Sequence, residues 1–107
     1  MLSQTDVVDL VTRDNGTGTY QLILVVERGE WTLPNVNHLL QEKTNAYLIY
    51  AIDGQMFDDY PDAKGVRVEV IIQYLEPPPP SIDIFIDRLK LAVQREGVNI
   101  RAIPLSL

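Results

Sequence analysis

The pattern of apolar residues predicts an α+β domain with elements in the order ββαβαβ, a four-stranded mixed sheet with two helices packed on one face. Three observations carry that prediction. Two runs rich in β-branched residues flank an Asn-Gly turn, two longer segments repeat apolar residues with the helical period, and each of these is followed by another short β-rich run. With 107 residues, no internal repeat and no linker, the chain reads as one domain, 1–107. At that size roughly two thirds of the unfolded surface leaves water on folding, enough to sustain a core.

The first strand is Val7 to Arg13, stopping at Asp14-Asn15-Gly16-Thr17-Gly18, and the second is Tyr20 to Glu27. Asn-Gly tolerates the positive φ of a tight hairpin turn. Alternation puts Tyr20, Leu22, Leu24 and Val26 on one face and Gln21, Ile23, Val25 and Glu27 on the other. A strand apolar on most of both faces belongs inside the sheet.

After Arg28-Gly29-Glu30, Thr32 or Asn35 is placed to cap a helix near Pro34 that runs to about Ile52. Val36, Leu40, Tyr47 and Ala51 share one stripe, Leu48 lies at its edge, and Gly54 closes the last turn in a left-handed conformation. Leu39, Ala46 and Tyr50 widen the stripe and Ile49 falls further round, so this helix has either a wide core face or a second packing surface. Gln55 to Gly65 is expected to be a loop.

The third strand starts at Val66, with Val66, Val68, Val70, Ile72 and Tyr74 on its apolar face and Arg67, Glu69, Ile71, Gln73 and Leu75 on the other. Pro77 to Pro80 forces an extended connector. Ser81 is expected to cap a second helix whose stripe is Ile82, Phe85, Ile86, Leu89, Ala92 and Val93, with Ile84 and Leu91 outward and Gly97 at its end. Val98 to Ile103 is the fourth strand. Right-handed crossovers put both helices on one sheet face. The opposite face, with Ile23, Val25, Ile71 and Leu75, is more apolar than a solvated face usually is, which points to a homodimer.

Composition narrows the functions. Hydrophobic residues make up 46% and charged residues 22%, the values of an ordinary folded domain. The absence of cysteine removes disulfides, thiolate catalysis and Cys-based metal sites. Met1 to Asp6 lacks the features of a secretory signal, and apolar runs such as Leu22 to Val26 fall far short of the roughly 20 residues of a membrane span. A cytoplasmic location is expected. Nine basic against fifteen acidic residues leave a net charge of −6, which repels nucleic acid and anionic membranes.

No catalytic residue, metal ligand set or cofactor is assigned. His38 is the only histidine and has no HxxxH or HxxE partner, so it reads as structural or exposed. Ser3, Ser81 and Ser106 lack the strained elbow of a nucleophile. Gly16-Thr17-Gly18 lacks the Gly-Lys-Ser/Thr of a phosphate loop and sits in a hairpin. Asp53, Asp58, Asp59 and Asp62 crowd carboxylates ahead of Lys64, a pattern able to hold Ca²⁺ or Mg²⁺ or to meet a basic partner, although its spacing departs from the calcium loop and a solvated turn explains it. Glu76 and its four prolines read as a rigid connector, and Trp31 either staples the helix entrance or lines a pocket.

Leu40-Gln41-Glu42-Lys43, Asn45, Tyr47-Leu48, Gly54-Gln55, Tyr60-Pro61 and Gly65, preceded by Val7-Val8-Asp9-Leu10 and Trp31, resemble the signature of a family of small bacterial proteins, a domain of unknown function. The likeness covers most of the chain. It implies a bacterial, cytoplasmic, single-domain protein and supplies no activity. Pro34-Asn35-Val36-Asn37 departs from the family's pattern, which has acidic residues before His38. The likeness also directs attention to Glu42, Lys43, Asn45, Gln55 and Tyr60. Lys43 is expected at the edge of the buried stripe, its ammonium reaching outward to Asp58 or Asp59.

The function expected from these readings is a non-enzymatic protein-interaction domain that self-associates and presents an acidic surface to a basic protein partner, in an immunity-type or adaptor role. The rival is a small-ligand sensor or enzyme. Its candidate ligand- or partner-binding residues, around the end of the first helix and the acidic loop, are Lys43, Gln55, Asp58, Asp59, Tyr60 and Asp62.

Overall fold

The computed structural model describes residue 2 and residues 9–14, 16–52, 54–63 and 67–105. Val7, Val8, Asn15, Gly65, Val66 and the serines Ser3 and Ser106, which figure in the predictions, lie outside the described residues. The elements are β1 (Leu10–Arg13), β2 (Tyr20–Val26), α1 (Val36–Ile52), α2 (Gln55–Asp59), β3 (Val68–Tyr74), α3 (Pro80–Gln94) and β4 (Val98–Pro104), with 3-10 turns at Glu30–Thr32 and Pro61–Ala63. The sheet order is β1-β2-β3-β4. β1 runs antiparallel to β2, whereas β2, β3 and β4 are parallel neighbours, so the four-stranded sheet is mixed and β2 is an inner strand as expected.

The hairpin turn is organised by Asp14, whose Oδ1 accepts the Gly16 N–H at 2.8 Å while its carbonyl accepts the Gly18 N–H at 2.7 Å. Gly18 takes φ of +76°, a left-handed conformation that a side chain disfavours. Register then fixes the rows across the sheet. Val11, Leu22, Val70 and Ile100 align on one face, and Leu10, Ile23, Ile71 and Arg101 align on the other.

The first of these faces carries the core. Leu22, Leu24, Val26, Val70, Ile72 and Ile100 pack in one cluster with Leu40, Tyr47 and Ala51 of α1 and Ile82, Ile86, Leu89 and Val93 of α3. Met56 of α2, Trp31 and Ala63 join the same cluster, so every described helix lies on this side. Trp31 is a staple: buried, it donates its Nε1–H to the Glu76 carbonyl at 2.7 Å and ties the helix entrance to the end of β3. On α1, Leu39, Leu48 and Tyr50 are half-buried against the core, while Ile49 and Ile52 are exposed.

Several local expectations are corrected. The segment expected to be a loop from Gln55 to Gly65 holds α2 and a 3-10 turn, because Gly54 at φ 94° reverses the chain and buried Met56 and Ala63 pin the turns to the core. Helix α3 starts one residue before Ser81, with Pro79 at the N-cap and Pro80 in the first turn, and no side chain caps it. A proline there loses no intrahelical hydrogen bond, so the connector itself opens the helix. Ala92, placed in the α3 stripe, is exposed. The Thr32 hydroxyl donates to the Gly29 carbonyl and does not cap α1; Asn35, whose carbonyl accepts the Leu39 N–H, stands at that position.

Candidate functional site

The acidic end is built by the turn after α1. Gln55, Asp58 and Asp59 lie on α2, Tyr60 follows it, and Asp62 sits in the next turn; all five are exposed. The Tyr60 ring leans on that of Tyr20, with centroids 5.8 Å apart at 55°. Asp59 accepts the Tyr50 hydroxyl at 2.9 Å; burial, reinforced by this carboxylate, pushes Tyr50 up to about 12. Asp53 and Lys64 lie outside the described residues. Among the described residues no group of three or more His, Asp or Glu is placed to hold a metal ion. His38 is exposed and meets Glu42 one helical turn on, at 3.0 Å.

Lys43 does not join this end. It is fully buried, and its Nζ lies 2.7 Å from Oδ1 of Asp9, not beside Asp58 or Asp59. Nine residues separate it from Ile52, about 14 Å of helix. The reason is position on the stripe: Lys43 lies between Leu40 and Tyr47 on the face turned toward the sheet, so the carboxylate within reach is the one ahead of β1. Asp9 also takes the Val25 N–H on Oδ2 at 2.8 Å. Tyr47 completes the cluster, its hydroxyl accepting the Asp9 N–H at 2.9 Å and donating to the Ile23 carbonyl at 2.8 Å. Side chains thus satisfy backbone groups where the β1–β2 ladder ends.

Burial by itself would raise the pKa of Asp9, but the Lys43 ammonium, the chain's N-terminal amine and the Val25 N–H together outweigh it and hold the carboxyl below its ordinary 3.8. Burial pushes the Tyr47 hydroxyl well above its ordinary value, so it stays protonated as a donor. One signal pointed here in advance. Asp9 is a lone acid in an apolar run, two residues from Val11 and hence on the helix side, and Lys43 is a lone base in an apolar stripe. The neighbouring Thr44 hydroxyl is buried with no hydrogen-bond partner among the described residues.

The sheet face turned away from the helices is the second region. Its central row runs Leu10, Ile23, Ile71, Arg101; Ile23 and Ile71 are nearly inaccessible at 3% and 2%, whereas Leu10 is 53% exposed. Val25, Gln73 and Ile103 form the row toward one end, all half-buried. Toward the other end lie Thr12, Gln21, Glu69 and Asn99. The Thr12 hydroxyl donates to the Gln21 side-chain oxygen at 2.9 Å, and Glu69 receives Asn99 Nδ2 at 3.0 Å and Arg101 Nε at 3.1 Å. The face is therefore apolar at one end and polar at the other. Leu75, expected on it, lies just past β3 and donates its N–H to Val26 at 3.3 Å.

No helix among the described residues is long and apolar enough to cross a membrane. No curated protein and no solved structure matches the chain. A family model, described as a family of unknown function (DUF6572), matches residues 1–105, as the signature from Leu40 to Gly65 implied. With nearly the whole length matched, the chain belongs to the DUF6572 family of proteins of unknown function.

Proposed function

We propose that this protein is a non-enzymatic protein-interaction domain that pairs with a second copy through the sheet face turned away from its helices, leaving the exposed acidic end around Asp58 and Asp62 available to a basic partner. One observation carries the reading: β2, β3 and β4 are parallel neighbours with every described helix on one side, and the other side presents Leu10, 53% exposed, with half-buried Val25 and Ile103 around the buried Ile23 and Ile71. Parallel strands occur almost only where both faces are covered. Pairing two copies face to face supplies the second cover by the same residues twice, as a two-fold interface requires.

The rival reading, a ligand site around the end of α1, loses its cation, because Lys43 is buried against Asp9 about 14 Å of helix away from that end. The sheet plane measures roughly 19 by 23 Å, smaller than the about 800 Å² per partner of a standard interface, so dissociation on dilution is expected. Sedimentation over a concentration series tests this. Dimers that dissociate on dilution are expected for the wild type, and monomers for Leu10→Glu with unchanged circular dichroism and melting, since Leu10 is an exposed position. A wild type that stays monomeric at every concentration removes the proposal.

A further inference from the structure

A groove of about 630 Å³ opens where the hairpin turn, the start of β3 and the turn from α3 into β4 come together. Its size is that of small-molecule clefts in general. Asp14, Gln21, Arg67, Glu69, Asn99 and Arg101 are among its polar lining residues.

Most acceptors there are already engaged. Asp14 Oδ1 takes the Gly16 and Thr17 N–H groups at 2.8 and 3.4 Å. Glu69, only 16% exposed, takes Arg101 Nε and Asn99 Nδ2. The Gln21 oxygen takes the Thr12 hydroxyl. The donors remain. Arg101 uses Nε on Glu69 and keeps its terminal amino groups, and Gln21 keeps its amide N–H groups. Arg67 is exposed, and its guanidinium has no hydrogen bond or ion pair among the described residues, while its backbone is held by the Tyr20 N–H on its carbonyl at 3.0 Å.

Strand alternation puts Arg67 on the same side as Glu69, roughly 7 Å along the chain. Two guanidinium groups and two carboxylates, Glu69 and Asp14, thus share the lining, which balances in charge but not in hydrogen bonding, because the spare donors belong to the guanidinium groups. Guanidinium donors in want of acceptors fit a planar anion, and a single charge better than a dianion, which Asp14 and Glu69 oppose.

We propose that this groove binds a small organic carboxylate, received by the guanidinium of Arg67 and the terminal amino groups of Arg101. Gln21, Glu69, Asn99 and Arg101 belong to the face assigned to the second copy, at its polar end, so the monomeric Leu10→Glu reads the groove by itself.

Thermal-shift and calorimetric titrations with sodium acetate, succinate and glutamate, against sodium chloride and sodium phosphate at matched ionic strength, test it. At least one carboxylate is expected to raise the melting midpoint above the chloride control, as a ligand of the folded state must. Arg67→Gln is expected to weaken that binding by about ten- to a hundredfold, the worth of a charge-assisted hydrogen-bonded pair. Arg88→Gln, on the exposed side of α3, and Leu10→Glu are expected to bind as the wild type does. No shift beyond chloride, an equal or larger shift with phosphate, or undiminished binding by Arg67→Gln overturns the assignment. A monomeric Leu10→Glu that still binds separates this site from the dimer, and a dimeric Arg67→Gln that does not bind separates the dimer from this site.

Discussion

Asp9 and Asp58 are the same residue in opposite settings. Asp9 stands under α1 with the Lys43 ammonium on one oxygen and the Val25 N–H on the other, and the tyrosine beside it fills the gap at the end of the β1–β2 ladder. Asp58 stands on a one-turn helix in solvent, close in sequence to Asp59 and Asp62. Sequence density of carboxylates draws attention to the second, yet the first bears on the fold. A charge matters to stability in proportion to what it loses on leaving water and what replaces that loss, and only Asp9 has been taken out of water.

That contrast can be broken most forcefully at Lys43. Lys43→Met removes the buried ammonium from Oδ1 of Asp9 and is expected to cost about 3–5 kcal/mol in a urea melt, the usual effect of removing one partner of a buried pair. Tyr47→Phe comes next. It strands the buried Ile23 carbonyl and the Asp9 N–H, for about 1–3 kcal/mol by the same measurement.

Acidification sharpens the comparison without a mutation. The folded pKa of Asp9 lies below its ordinary 3.8, so its contribution is complete above that value and is lost as the pH falls through the folded pKa. Urea midpoints taken down a pH series should therefore decline in that acid range, and the decline should be shallower in Lys43→Met. The smallest effect belongs to the acidic end. Asp58→Asn is expected to stay within about 0.5 kcal/mol of the wild type, as exposed substitutions do. A loss as large as that of Tyr47→Phe would show that the acidic run is structural after all.

Where a single period dominated, the elements were legible: α1 ends at Ile52, the Ile82–Ile86–Leu89–Val93 stripe is buried, and the alternation in β2 and β3 sorts their two faces as the sheet does. Local chemistry was less transparent. Pro80 reads as part of a connector until its place in the first turn of α3 is seen, and the five residues of α2 are too few to display a period. Lys43 was singled out by the family signature and its burial edge by helical geometry, but its partner lies 34 residues away. Arg67 and Arg101 read as scattered single charges because β3 and β4 become neighbours only when the sheet forms.

Periodicity, turn residues and composition by themselves determined the α+β class, the succession of strands and long helices, and the side of each strand that faces the helices. These follow from short-range geometry, since a residue's direction along a helix or strand depends on its neighbours in the chain. Only the tertiary structure decided which charges meet: Lys43 with Asp9, Arg101 with Glu69, and Arg67 with no described partner at the mouth of a groove. Ion pairs act through space over a few ångströms, and which residues come that close is set by strand order and register.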